Sequence, residues 1–223
     1  LISGDGQVQL AFFGAQGASG TKELYNIENV HSGDGDDEVF GNNQANVLAA
    51  NGGDDEVFGL DGDDTILGGD GDDMLDGGND DDDLYGGNDD DTLLGDGGND
   101  DLYGGSGNDH LEGGTGNDDL FGQGGQDYLK GNAGDDDLFG GGGNDWLIGG
   151  SGFNEIGTGS GFDVVGFETG EAGYNTISDF SLANDRLWFE DDFFAGGAAA
   201  DLDTVLNVVA FNGMTFLEAN TSW

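Results

Sequence analysis

The sequence has no cysteine, and among its 223 residues only three side chains carry a positive charge: Lys22, Lys130 and Arg186. Without cysteine there is no disulfide framework and no thiolate metal site. With so few cations the chain cannot displace counterions from phosphate, so nucleic acid and anionic membrane surfaces are excluded as partners. No run approaches the ~20 apolar residues of a membrane span, so membrane insertion is not expected. Hydrophobic residues make up 35 %, which argues against a broad conventional core but leaves room for a narrow, repetitive one. No N-terminal secretion signal is legible, and a start at Leu1 suits a piece of a longer protein.

What is present is acid and glycine. The chain carries 48 acidic residues and 49 glycines, for a formal charge of −45. That much uncompensated charge resists compaction, so disorder is the default in pure water and a multivalent cation is the missing partner.

Self-similarity organises the rest. Take Gly68-Gly69-Asp70-Gly71-Asp72-Asp73-Met74-Leu75-Asp76 as a unit and step nine residues at a time. The eighth position reads Val39, Leu48, Val57, Ile66, Leu75, Leu84, Leu93, Leu102, Leu111, Leu120, Leu129, Leu138, Leu147, Ile156 and Val165, branched aliphatics throughout. The sixth position reads Asp37, Asn46, Asp55, Asp64, Asp73, Asp82, Asp91, Asp100, Asp109, Asp118, Asp127, Asp136, Asp145, Asn154 and Asp163. A lone Asp-Gly is ordinarily a solvated turn; a register held over 135 residues is not.

The pattern resembles Gly-Gly-x-Gly-x-Asp-x-U-x, the nonapeptide of the RTX (repeats-in-toxin, hemolysin-type) calcium-binding family, over Ser32 to Gly166. The resemblance implies an all-β chain folded as a parallel β-roll, a right-handed β-helix solenoid with a six-residue turn and a three-residue strand per nonapeptide. Eighteen residues would then complete one coil. The residues agree independently. Three-residue x-U-x strands alternate out-in-out and bury one aliphatic per repeat. Glycines at the first, second and fourth positions suit a tight, crowded turn, and their density excludes helix. The expected organisation is irregular N-terminal flanking coils over 1–31, the roll over 32–166, and a C-terminal β cap over 167–223. In the cap, Asn175-Thr176-Ile177-Ser178-Asp179-Phe180 and Asp185-Arg186-Leu187 resemble the family's capping segment, and a short helix is expected over 201–209.

Coils about 4.8 Å apart would stack turns eighteen residues apart in sequence. One edge then carries Asp37, Asp55, Asp73, Asp91, Asp109, Asp127, Asp145 and Asp163; the other carries Asn46, Asp64, Asp82, Asp100, Asp118, Asp136 and Asn154. Without a cation each column opposes stacking. Ca²⁺, which takes six to eight oxygen ligands, suits carboxylates from two successive turns plus turn carbonyls, and about ten ions are expected. The cleanest turns are those of Gly69/Gly71/Asp73, Gly105/Gly107/Asp109 and Gly114/Gly116/Asp118. Weaker sites are expected where Asp80 and Asp89 replace the fourth-position glycine, and where Leu60, Asp96, Gln123 and Asn132 replace the second.

Folding and calcium binding then become one process, with the chain open inside the cell and ordered outside it. The resemblance implies type I secretion, hence an extracellular or cell-surface location. Enzyme activity is not expected: a roll packed with one aliphatic per repeat offers no shaped pocket, and carboxylates recurring every nine residues are not a singular catalytic pair. His31 and His110 read as solvated strand residues, and Trp146, Trp188 and Trp223 as packing. The ninth positions of one sheet, Leu67, Tyr85, Tyr103, Phe121 and Phe139, form an outward ladder flanked by Asp83, Asp101, Asp119 and Asp137. It is either in-register stacking that stabilises the sheet or a contact stripe for a partner domain or another copy. Two roles fit: a structural or adhesive element of a surface protein, favoured by the Ile27-Glu28-Asn29-Val30 flank, or the C-terminal secretion-and-folding module of an exported protease or lipase.

Overall fold

A branched aliphatic once in nine residues cannot build a layered core within one coil; it buries its surface only by stacking on the same residue of the next. The computed structural model describes residues 30–168 and 170–190 in full, together with the backbone of strands Gln9–Ala11, Gly20–Glu23, Asn29–His31, Leu206–Phe211 and Met214–Asn220. Successive strands alternate between two sheets, one of 12 strands and one of 10, so sheet neighbours are two strands apart in sequence. Leu84, Leu102, Leu120 and Leu138 stack in register in one sheet, and Leu75, Leu93, Leu111, Leu129 and Leu147 in the other. All of these leucines are fully buried, and they belong to one continuous core between the sheets. The fold is the expected parallel β-roll.

The strands are longer than the three residues expected. Strand Met74–Asn79 is typical: six residues, running from a seventh position to the third position of the next repeat. Thr92, Leu93 and Leu94 pair with His110, Leu111 and Glu112, and pairing resumes at Asp96↔Gly114 and Gly97↔Thr115. The first-position residue, here Gly95, falls between the two paired segments. Pairing of the second and third positions is what a pattern of side chains cannot reveal, because it is made by backbone alone.

The nonapeptide step fails at both ends, at the N-terminal one only before Asn29–His31: Gln9 pairs with Asn29 and Gly20 with Asp37, 20 and 17 residues on. Asn29–His31 already stacks in register with Val47, Leu48 and Ala49, ahead of the first repeat. At the other end the parallel ladder gives way to an antiparallel hairpin of strands Leu206–Phe211 and Met214–Asn220, which pairs on strand Gly173–Ile177. The helix expected over 201–209 is corrected from Leu206 onward: that stretch is strand, as Leu206-Asn207-Val208-Val209-Ala210-Phe211, rich in β-branched and apolar residues, predicts once it has a pairing partner. Residues 201–205 lie outside the described residues.

Candidate metal centre

Each turn carries its sixth-position side chain inward. Asp100, Asp136 and Asp163 are 0 % exposed, and the others from Asp37 to Asp145 are equally hidden. One carboxylate oxygen of each is spoken for. Asp109 Oδ1 accepts the backbone N–H of Asp91 at 2.9 Å, Asp127 Oδ1 that of Asp109 at 2.9 Å, and Asp145 Oδ1 that of Asp127 at 3.0 Å. On the opposite edge Asp100 Oδ1 accepts from Asp82 at 2.8 Å and Asp118 Oδ1 from Asp100 at 3.0 Å. The structure thus assembles the two columns read from the sequence, each carboxylate reaching back eighteen residues to the coil before it.

The second oxygen is the chemically telling one. Oδ2 of Asp64, Asp73, Asp82, Asp91, Asp100, Asp109, Asp118, Asp127, Asp136, Asp145 and Asp163 is buried and has no hydrogen-bond partner. Leaving a buried charged oxygen unsatisfied costs several kcal/mol in general, and a row of them is tolerable only with protons or cations between.

A carbonyl oxygen of the next coil lies near several of these Oδ2 atoms. A Cβ placed on Gly68 would collide with Asp73 Oδ2 and stand 2.8 Å from the Gly86 carbonyl oxygen. The same holds at Gly86 with Asp91 Oδ2 and the Gly104 carbonyl at 2.6 Å, and at Gly122 with Asp127 Oδ2 and the Gly140 carbonyl at 2.7 Å. The first-position glycine is therefore required for space, not for backbone torsion: it leaves open a gap between coils bounded by a carboxylate and a carbonyl. Among the described residues no three acidic or histidine side chains converge on one point, so carbonyls must complete any ligand set. An all-oxygen, sulfur-free and imidazole-free surround of this kind fits a hard divalent cation, and Ca²⁺ with its tolerant geometry better than Mg²⁺.

The second- and fourth-position glycines serve torsion instead. Gly69, Gly71, Gly105, Gly107, Gly114 and Gly116 have φ between 116° and 149°. Where those glycines are replaced the backbone does not relax: Leu60, Asp80, Asp89, Asp96, Gln123 and Asn132 hold φ between 66° and 91°. The turns expected to be weaker keep their shape, at a conformational cost of ~1–2 kcal/mol for each non-glycine residue.

One ladder escaped the sequence reading. Fifth-position side chains accept in the opposite direction: Asp54 Oδ1 from the N–H of Asp72 at 3.1 Å, Asp72 Oδ1 from Asp90 at 3.1 Å, and Asn99 Oδ1 from Asn117 at 3.0 Å. The signal was available, since from Asp54 to Asn144 the fifth position of every repeat is Asp, Asn or Gln.

Burial raises the sixth-position carboxyls against the lowering effect of the N–H each accepts. Asp82 and Asp91 are pushed up to about 8, Asp73, Asp100 and Asp136 to about 7, and Asp64, Asp109, Asp118, Asp127, Asp145 and Asp163 to about 6. In the unfolded chain aspartate titrates near ~3.9. The metal-free coil therefore keeps protons that the unfolded chain has already released. Its stability is present at low pH and lost as pH rises through the folded values. Acid is thus expected to substitute in part for the cation: in excess chelator, the far-UV β signal should grow as pH falls from about 8 to about 5, below the raised pKa values. A flat signal over that range would show that burial does not raise these carboxyls.

On the outer face of the 12-stranded sheet, Tyr85 and Tyr103 stack at 4.8 Å, Tyr103 and Phe121 at 4.9 Å, and Phe121 and Phe139 at 5.2 Å, the rings within 10° of parallel. Leu67 and Tyr85 are the most exposed of this ladder, at 40 % and 39 %. Asp83, Asp101, Asp119 and Asp137 pair in register beside it.

The family model for the RTX calcium-binding nonapeptide repeat matches residues 31–66, 58–93, 94–129, 121–156 and 130–165, a span covering more than half of the chain. No curated protein matches it.

Proposed function

Because this chain belongs to the family of RTX calcium-binding nonapeptide repeats, we propose that it is a non-enzymatic extracellular element whose coils assemble on calcium after export. The observation that carries the reading is the phased row of buried, unpartnered Oδ2 atoms, several of them beside a carbonyl of the neighbouring coil. With about ten ions bound, as ligand counting between successive rungs suggests, roughly +20 is set against the −45 of the chain, which leaves the surface acidic and soluble. The product is a stiff rod, suited to a structural or adhesive role in a surface or matrix protein. Type I export fits such a chain, since a polypeptide without calcium has no compact state to thread through a channel.

The aromatic ladder is the face on which adhesion would act. Ring stacking already contributes ~0.2–1 kcal/mol per cross-strand pair. The persistence of exposed Leu67 and Tyr85 at one end supports contact with a partner as well.

A titration of folding against free calcium tests the extracellular reading. The midpoint is expected at ~10⁻⁴–10⁻³ M, the range of extracellular calcium modules. Folding complete below ~10⁻⁶ M would mean that the chain orders before it leaves the cell, and would defeat the proposal.

A further inference from the structure

The two sixth-position columns end differently. On one edge the last nonapeptide aspartate is Asp163, and the residue stacked on it is Asp185, supplied by non-repeat sequence 22 residues on. The Asp163 backbone N–H donates to Asp185 Oδ1 at 3.3 Å, the bond that Asp145 makes to Asp163 at 2.9 Å over 18 residues. Asp185 is 4 % exposed. Its turn contains no glycine, and its Oδ2, unlike those of the central array, is partnered: Ser181 N–H donates to Asp185 Oδ2 at 2.7 Å, as Gly33 N–H does to Asp37 Oδ2 at 3.2 Å at the start of the roll.

Around this rung the donor set changes. Thr158 stands at a first position in place of glycine, its hydroxyl 3.3 Å from Asp185 Oδ2 and 3.1 Å from Asp179 Oδ1. Asp179 spends both oxygens on the backbone N–H groups of Thr158 and Gly159, so it positions the turn. Asp163 Oδ2 remains fully buried and without a partner. No cationic side chain relieves it: among the described residues the ion pairs are His110–Glu112 and Lys130–Glu168, and the Arg186 guanidinium donates to the Asn184 and Asp185 carbonyls.

The other edge needs no ion at its end. There Asn154 is followed by Asn175, 21 residues on, and Asn154 Nδ2 donates to Asn175 Oδ1 at 2.7 Å. A neutral amide carries its own proton across the gap, where two carboxylates must borrow a positive charge.

We propose that the Asp163–Asp185 rung holds one further Ca²⁺ outside the nonapeptide array, with the Thr158 hydroxyl beside it, while the Asn154–Asn175 rung holds none. The proposal rests on the calcium-roll reading of the repeats. Its consequence is that strand Arg186–Phe189, which pairs on strand Val164–Phe167, is fastened to the roll by metal on one edge only.

Native mass spectrometry of the calcium-saturated full chain counts the ions one by one. Asp185→Asn is expected to lose one ion while Asn175→Ser keeps the full number. An Asp185→Asn chain that retains every ion overturns the proposal, as does an Asn175→Ser chain that loses one. If Asp185→Asn does not fold, Asp185→Glu decides: a full count supports the site, and a count short by one overturns it. A parent chain that binds no calcium overturns both this site and the reading of the repeats, whereas an unchanged count in Asp185→Asn with the repeat ions present overturns this site alone.

Discussion

Withdrawal of calcium near pH 8 is expected to unfold the roll as a whole rather than loosen its ends. Each interval between coils places a buried carboxylate against the next, and nothing else in the turn neutralises it. Like charges at such spacing in a poorly hydrated interior repel by several kcal/mol per pair at an effective dielectric near 20, about as much as the whole stability of an ordinary domain. The aliphatic core cannot compensate, because one leucine, isoleucine or valine per nine residues contributes only ~1.5–3 kcal/mol against the entropy of ordering nine residues. Small-angle scattering should therefore show expansion toward the ~50 Å radius of gyration of an unfolded chain of this length. Circular dichroism should lose its β signal in the same step. A compact, β-rich chain persisting in excess chelator near pH 8 would show that the stacked aspartates are not held by metal.

Gly116→Ala is expected to be among the most damaging of the smallest possible substitutions, and Gly124→Ala among the mildest, although the two sites are eight residues apart. Gly116 sits at φ +131°, and a Cβ there would run into the Gly98 carbonyl of the coil below. Neither partner can yield, because the carbonyl belongs to the turn that lies directly beneath. The torsional cost and the collision together put the loss at ~2–4 kcal/mol, read as a higher calcium requirement for folding. Gly124 has an ordinary torsion and its Cβ would meet only the Gly105 carbonyl oxygen at 3.7 Å, a normal contact. That change should stay within ~0.5 kcal/mol. Equal calcium midpoints for the two variants would refute the tight vertical stacking of the turns.

The period of nine carried most of the architecture in plain view. An aliphatic at each eighth position and an aspartate at all but two of the sixth required that coils stack in register, and Leu93 on Leu111 and Asp91 on Asp109 do so. The aromatic ladder was legible for the same reason: Tyr85, Tyr103 and Phe121 stand eighteen residues apart, and stacked coils put equal positions side by side. The lengthened strands were not legible, since the pairing of Asp96 with Gly114 is made by backbone groups that every residue shares. Nor was the distinct purpose of the first glycine, which depends on the placement of Asp73 Oδ2 and the Gly86 carbonyl and not on the torsion of Gly68.

Sequence alone therefore determined the register, the two acidic edges and the need for a cation, because a strict repeat converts distance along the chain into position in space. Tertiary structure alone decided which oxygen of each aspartate is left over, where carbonyls meet it, and that Asp185 and Asn175 extend the columns after steps of 22 and 21 residues. Once the period fails, only the hydrogen bonds between coils say which residue lies above which.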